Sequence, residues 1–171
     1  MIHRNRLVCF CVALLLASAL AFAQGERGKS ELKTPNGSIT LNYGRPVLQG
    51  RDMLSKLEVG QFWRLGKDDV TALSSPVALA FGSTTIPKGT HSLWLKRVAA
   101  DTFELVFNKQ GTGHGMMHDA SKDMAGVSLT KSALARPAEK LAIDLRPAAD
   151  GGTLEIRWGT SKLAANFQFA K

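Results

Sequence analysis

Nine residues, GTGHGMMHD at 111–119, place His114 and His118 four apart, set Met116 and Met117 between them and end on Asp119. Imidazole nitrogen binds zinc or copper, thioether sulfur favours Cu(I), and a carboxylate adds a hard donor, so these residue types suit a metal site. On a helix, histidines at i and i+4 would face one way. Gly111, Gly113 and Gly115 make a helix costly here, so the stretch is expected to be a glycine-rich loop. Such a loop could hold Zn or Cu only with a further strong ligand, for which His91 or Asp123 would have to fold in. The candidate metal set is therefore His91, His114, His118 and Asp119, and its chemistry would be metal-assisted hydrolysis.

A second group of residues suits recognition rather than reaction. Tyr43, Arg45, Arg51, Trp63, Arg64, Asp68 and Asp69 fall at strand ends or in the loops that join strands, where a rigid scaffold commonly presents binding groups. Guanidinium forks beside aromatic faces suit carboxylates, phosphates or sugars. The competing expectation is structural: Arg64 pairs with Asp68 or Asp69 to pin a connection, and Trp63 fills the core. Nucleophile motifs are thin. Ser30 to Lys33 and Ser128 to Lys131 both spell S-x-x-K but lack its companion motifs, and there is no G-x-S-x-G elbow, phosphate loop or paired catalytic carboxylate. No residue is assigned a catalytic role. Asn36-Gly37-Ser38 reads as a turn before a strand rather than as a glycosylation acceptor.

The elements that must position these groups read as strands. Ile39, Leu41 and Tyr43 alternate with Thr40 and Asn42, and the same period of two recurs at Phe103, Leu105 and Phe107 and at Leu141, Ile143 and Leu145. It returns at Leu154, Ile156 and Trp158 and at Leu163, Ala165, Phe167 and Phe169, giving each strand one apolar and one polar face. Turn chemistry separates them at Pro35-Asn36-Gly37, Ile86-Pro87-Lys88-Gly89 and Asp150-Gly151-Gly152. Helical signals are weak, one or two turns within 51–58 and another within 119–124. The expectation is an all-β fold, a single antiparallel β-sandwich or barrel-like domain with one or two short helical turns.

The N-terminus sets the compartment. His3, Arg4 and Arg6 precede an apolar run at 7–20, and Ala21-Phe22-Ala23 offers small residues at the positions a signal peptidase reads. The run is short of the roughly 20 residues a membrane helix needs. We therefore expect a signal peptide at 1–23 cleaved near Ala23, a flexible leader at 24–37 and the β domain at 38–171. Secretion or residence in the periplasm follows, with no transmembrane segment in the mature chain. Cys9 and Cys11 both lie in the signal, so the mature domain is expected to be thiol-free and held by its core alone. Of 171 residues, removing 23 leaves 148, a normal single-domain length. Losing Arg4 and Arg6 takes the 22 basic residues to 20 against 14 acidic ones, a charge of +6. An exported chain with scattered basic residues argues against nucleic acid and for solubility or attraction to anionic envelope surfaces.

At this point the sequence carries a resemblance. ITLNYGRPVLQGRDMLSKLEVGQFWRLGKDDVTAL, TIPKGTHSLWL and FELVFNKQGTGHGMMHD, taken in order, resemble the bacterial secreted family called domain of unknown function 2911. That family is marked by a Y-x-R-P-x-x-x-G-R segment, a W-R-x-G segment, an L-P-x-G-x-Y-S-L hairpin and an F-N-K strand end. The likeness runs from about Ile39 to Phe169. It implies the β fold and export, and it implies no reaction. The chain departs from the pattern at Lys67-Asp68-Asp69, where members commonly carry an Asn-Glu-like pair, and at His91, where the hairpin often has tyrosine. The leading functional expectation is a non-catalytic binding module for an envelope component or small polar ligand. A metal-assisted hydrolase using His114, His118 and Asp119 and a structural envelope protein are the alternatives.

Overall fold

The computed structural model describes residues 26–115 and 117–170. The signal segment lies outside the described residues, as does Met116. Ten strands form one antiparallel sheet: β1 (Arg27–Thr34), β2 (Gly37–Gly44), β3 (Phe62–Trp63), β4 (Thr71–Ser75), β5 (Leu79–Phe81), β6 (Thr84–Ile86), β7 (Gly89–Ala99), β8 (Thr102–Asn108), β9 (Asp123–Ala148) and β10 (Gly151–Phe169). A one-turn helix, α1 (Met53–Lys56), and a 3₁₀ turn at Ala120–Lys122 are the helical elements among the described residues, both inside the windows expected from sequence. The strand order is β1-β2-β4-β7-β8-β9-β10-β5-β6, with β3 pairing β7 beyond the end of β4. No helix among the described residues is long and apolar enough to cross a membrane.

Within 24–37, expected to be a flexible leader, Arg27–Thr34 form a strand instead. β1 pairs with β2 over its whole length, from Arg27 opposite Gly44 to Thr34 opposite Gly37, and buries Leu32. Polar Lys29, Glu31 and Lys33 occupy its solvent face, so the apolar alternation that marks the other strands is reduced to one leucine. Register with β2 supplies what β1's own sequence does not.

β10 is folded back on itself. Thr153 Oγ1 donates to Asn166 Oδ1 at 2.7 Å and Phe169 N donates to Asp150 O at 2.9 Å, contacts a straight strand of this length cannot make. Gly159, at φ +55°, supplies the left-handed residue the reversal needs. The turn also flips the parity of the buried residues, from Leu154, Ile156 and Trp158 before it to Leu163, Ala165 and Phe167 after it. β9 serves both limbs: 130–133 pair with 161–164, and 138–148 pair with the outgoing limb.

The sheet curls until β1 meets β9. Leu145 N on β9 donates to Ser30 Oγ on β1 at 2.9 Å, and Lys140 Nζ reaches Glu26 Oε2 at 2.7 Å. That lysine bond, above all other influences, holds the Glu26 carboxyl below its ordinary range. Arg45 adds a second bond to Glu26 at 2.8 Å and one to the Leu141 carbonyl at 3.3 Å. Inside lies one apolar core that takes Ile39, Leu41, Leu73, Leu93, Leu95, Phe103, Leu105, Phe107, Ile143, Ile156 and Trp158 at almost no exposure.

Candidate functional site

Two loops and one strand end build a pocket at the β2–β3 end of the sheet. Gly44 ends β2 in direct backbone contact with Lys67, so close that a Cβ there would overlap the Lys67 carbonyl oxygen. That approach draws 63–67 onto the segment that follows Tyr43. Tyr43 itself is buried, its ring lying over Gly28 of β1. Arg45 is committed to the seam already described. Neither lines the pocket.

Arg51, Trp63 and Arg64, in contrast, do meet. They line a cavity of about 530 Å³ with Met53, Lys67 and Trp158, closed on one side by Pro46 and Val47. Trp63 and Trp158 pack with centroids 5.9 Å apart and form the apolar floor. The Trp158 indole N–H is buried without an acceptor among the described residues, an uncommon state for a donor. Arg51 spends one amino group on Gln49 Oε1 at 2.8 Å. Arg64 uses Nη1 on two backbone carbonyls, Asp68 at 3.3 Å and Gly115 at 3.2 Å. The expected ion pair from Arg64 to the Asp68 or Asp69 carboxylate is thus replaced by carbonyl bonds that pin the same connection. Among the described residues, three cations and no carboxylate line this cavity.

The backbone around it is strained. Gln49, Leu65 and Asp68 are the non-glycine residues with positive φ among those described, at 41°, 50° and 61°. All three flank the pocket loops. Leu65 is fully buried in this conformation, its carbonyl accepting from Thr71 Oγ1 at 2.6 Å. Left-handed non-glycine residues cost energy and tend to persist at binding and active sites.

The model for a protein of unknown function, DUF2911, matches residues 26–167. The chain belongs to the DUF2911 family. Neither the curated proteins nor the solved structures offer a match. The segments 46–53 and 63–67, both within the matched range, are the two that converge on the pocket. Lys67 adds the third cation.

The metal candidates do not converge. His91 alternates with Leu93 and Leu95 on the inner face of β7, is buried at 6% exposure and donates through Nε2 to the Pro87 carbonyl, 2.9 Å away. His118 sits on the opposite face. It stacks on Phe62 at 3.8 Å between centroids, meets Trp94 edge-on at 5.1 Å and bonds Asp123 Oδ1 through Nε2 at 2.8 Å. Asn108 Nδ2 fixes that carboxylate at 2.8 Å and also bonds the Asp119 carbonyl. His114 lies out in solvent beside Asp69, 3.4 Å away. Asp119 caps the 3₁₀ turn: Oδ1 accepts from Ser121 Oγ at 2.6 Å and Ser121 N at 3.1 Å, and Oδ2 pairs with Lys122 at 3.0 Å. These bonds, the Ser121 hydroxyl first, pull its pKa down to about 2. Among the described residues no three His, Cys, Asp or Glu side chains form a group able to hold a metal.

The glycine-rich stretch is accordingly a cover. Its described residues cross the outer face of the sheet and close a small satellite core of Val70, Trp94, Val106 and Phe62, with His118 as the plug. Val106 and Asn108 are buried on what would otherwise be the solvent face of β8. Their burial left no mark in the alternation of β8, because that pattern does not show that the loop which follows the strand folds back over its outer face. Lys67 and Trp158 were likewise missed as pocket residues. Trp158 read only as a core position in an alternating strand.

Proposed function

We propose that this protein is an exported, non-catalytic binding module that takes a small anionic ligand in the pocket between Arg51, Arg64 and Lys67. The observation that carries this reading is the composition of the wall: three cations, two indoles and no carboxylate among the described residues, around a cavity of about 530 Å³. Small-molecule sites commonly have this size and this mixture of apolar wall and few directed polar groups. A carboxylate or phosphate seated between the two guanidiniums would accept charge-assisted bonds, while its apolar part lies on Trp63 and Trp158. Export rests on the basic start, the apolar run and the Ala21-Phe22-Ala23 site, and fractionation of the producing cell is its test.

Inorganic phosphate and a series of small carboxylates are suitable probes, read by tryptophan fluorescence and thermal shift. A ligand at 100 times its Kd raises stability by about 2.7 kcal/mol. Arg51→Ala is the informative variant, since among the described residues Arg51 bonds only the neighbouring Gln49 side chain and the Leu48 carbonyl through its backbone. Losing one charge-assisted bond weakens binding by roughly tenfold or more. An anion series that shifts neither signal, or an Arg51→Ala protein that binds as well as the native one, rules the reading out.

A further inference from the structure

β10 changes neighbours along its returning limb. Ala164 faces Thr130 of β9, but Gln168 and Phe169 face Ala80 and Leu79 of β5. β9, for its part, leaves β10 below Thr130 and pairs instead with β8, Val127 opposite Leu105 and Gly126 opposite Val106. Two strands that share one neighbour therefore part from each other, and a cleft of about 700 Å³ opens in the fork, walled on the far side by the turn that joins β5 to β6.

The chemistry of this cleft differs from that of the cationic pocket. Phe81, Val127 and Ala165, all members of the core, reach its lining and give it an apolar floor. Its rim carries the hydroxyls of Ser83, Thr84, Ser128, Thr130 and Ser132. Other hydroxyls of the chain are used internally, as with Thr34 on Gly37, Thr71 on Leu65, Ser75 on Val77 and, in the cleft itself, Thr153 on Asn166. Of the six hydroxyls that line the cleft, the five at the rim engage no side-chain hydrogen bond among the described residues. The charges at the rim, Lys162 and Glu155, face each other at 3.8 Å, so they offset one another.

We propose that this cleft is a second binding site, for a neutral oligosaccharide. Unengaged hydroxyls match the donor and acceptor pattern of sugar hydroxyls, and the floor takes the apolar face of a sugar ring. The offset charges give a charged ligand no advantage. The proposal is independent of the anion pocket, with which the cleft shares no lining residue.

The test is an amide NMR titration of the protein with tetramers of N-acetylglucosamine, cellulose-type glucose and maltose-type glucose into the millimolar range. At least one tetramer is expected to shift amides at 81–84, 126–130 and 164–166. In the double variant Ser128→Val, Thr130→Val the affinity is expected to fall at least about fivefold, as two neutral hydrogen bonds are lost. Both positions are exposed, and valine suits a strand, so the melting temperature should hold. Arg51→Ala should leave the titration unchanged. No shift with any tetramer overturns the proposal, as does equal binding by the double variant. A larger response to an uncharged peptide of alternating serine and valine would also overturn it and make the cleft a peptide dock.

Discussion

Asp119 shows how a residue with the chemistry of a ligand is used up by its surroundings. Its two oxygens serve Ser121 and Lys122, and the carboxyl titrates near 2 instead of its ordinary 3.8. A carboxyl whose pKa is depressed by folding contributes stability in full above its unfolded value and loses it as pH falls through the folded one. The contribution of this turn should therefore be present at pH 5 and fade between about pH 4 and 2. Asp119→Asn keeps a capping side chain but gives up the charge. The gap in urea midpoint between the native protein and Asp119→Asn is expected to narrow as pH falls over that range. A gap of constant width would show that the charge does not support the turn. His118 belongs to the same logic: Asp123 takes its Nε2, and Phe62 and Trp94 cover its ring, so it serves packing.

Among elements, β1 is the one whose weight is out of proportion to its appearance. Its eight residues carry three lysine or glutamate side chains on the solvent face, yet it contributes a full ladder to β2 and the partner for β9 across the seam. Deleting residues 24–36 is expected to lower stability by at least about 3 kcal/mol, from the burial of Leu32 and the lost pairing. Urea denaturation of the shortened chain measures this, and an unchanged midpoint would mean the strand is dispensable. The strands with strong alternation were legible from residues alone, because Leu141, Ile143 and Leu145 or Leu154, Ile156 and Trp158 leave no second face to bury. β1 was not legible, since pairing and not apolar pattern holds it. For the pocket, the arginines and Trp63 stood out by type. Their convergence with Lys67 and Trp158 depends on the Gly44 approach and on Gly159, at which β10 reverses, and no local window contains both.

For the whole molecule, the order of the strands matters more than their number. β1 meets β9 more than a hundred residues later in the chain, through Ser30 and Leu145, and β5 waits for the last residues of β10 before Leu79 finds Phe169. The sheet cannot close until both ends of the chain are in place, and each such contact incurs the entropy of a large loop before it returns any stabilisation. Folding is therefore expected on the slow scale of nonlocal β topologies, roughly milliseconds to seconds, well behind helical bundles of similar length. Trp63 and Trp158 face each other across this late assembly, so tryptophan fluorescence in a stopped-flow refolding experiment follows it directly. Full recovery of the signal within microseconds would mean that the sheet does not close through these distant pairings. A slow phase that persists while β1 is deleted, but loses amplitude when Phe169 is replaced by alanine, would place the late step at the β5–β10 junction instead of the seam. That distinction decides which end of the sheet completes the pocket and the cleft, because the seam borders the first and the junction borders the second.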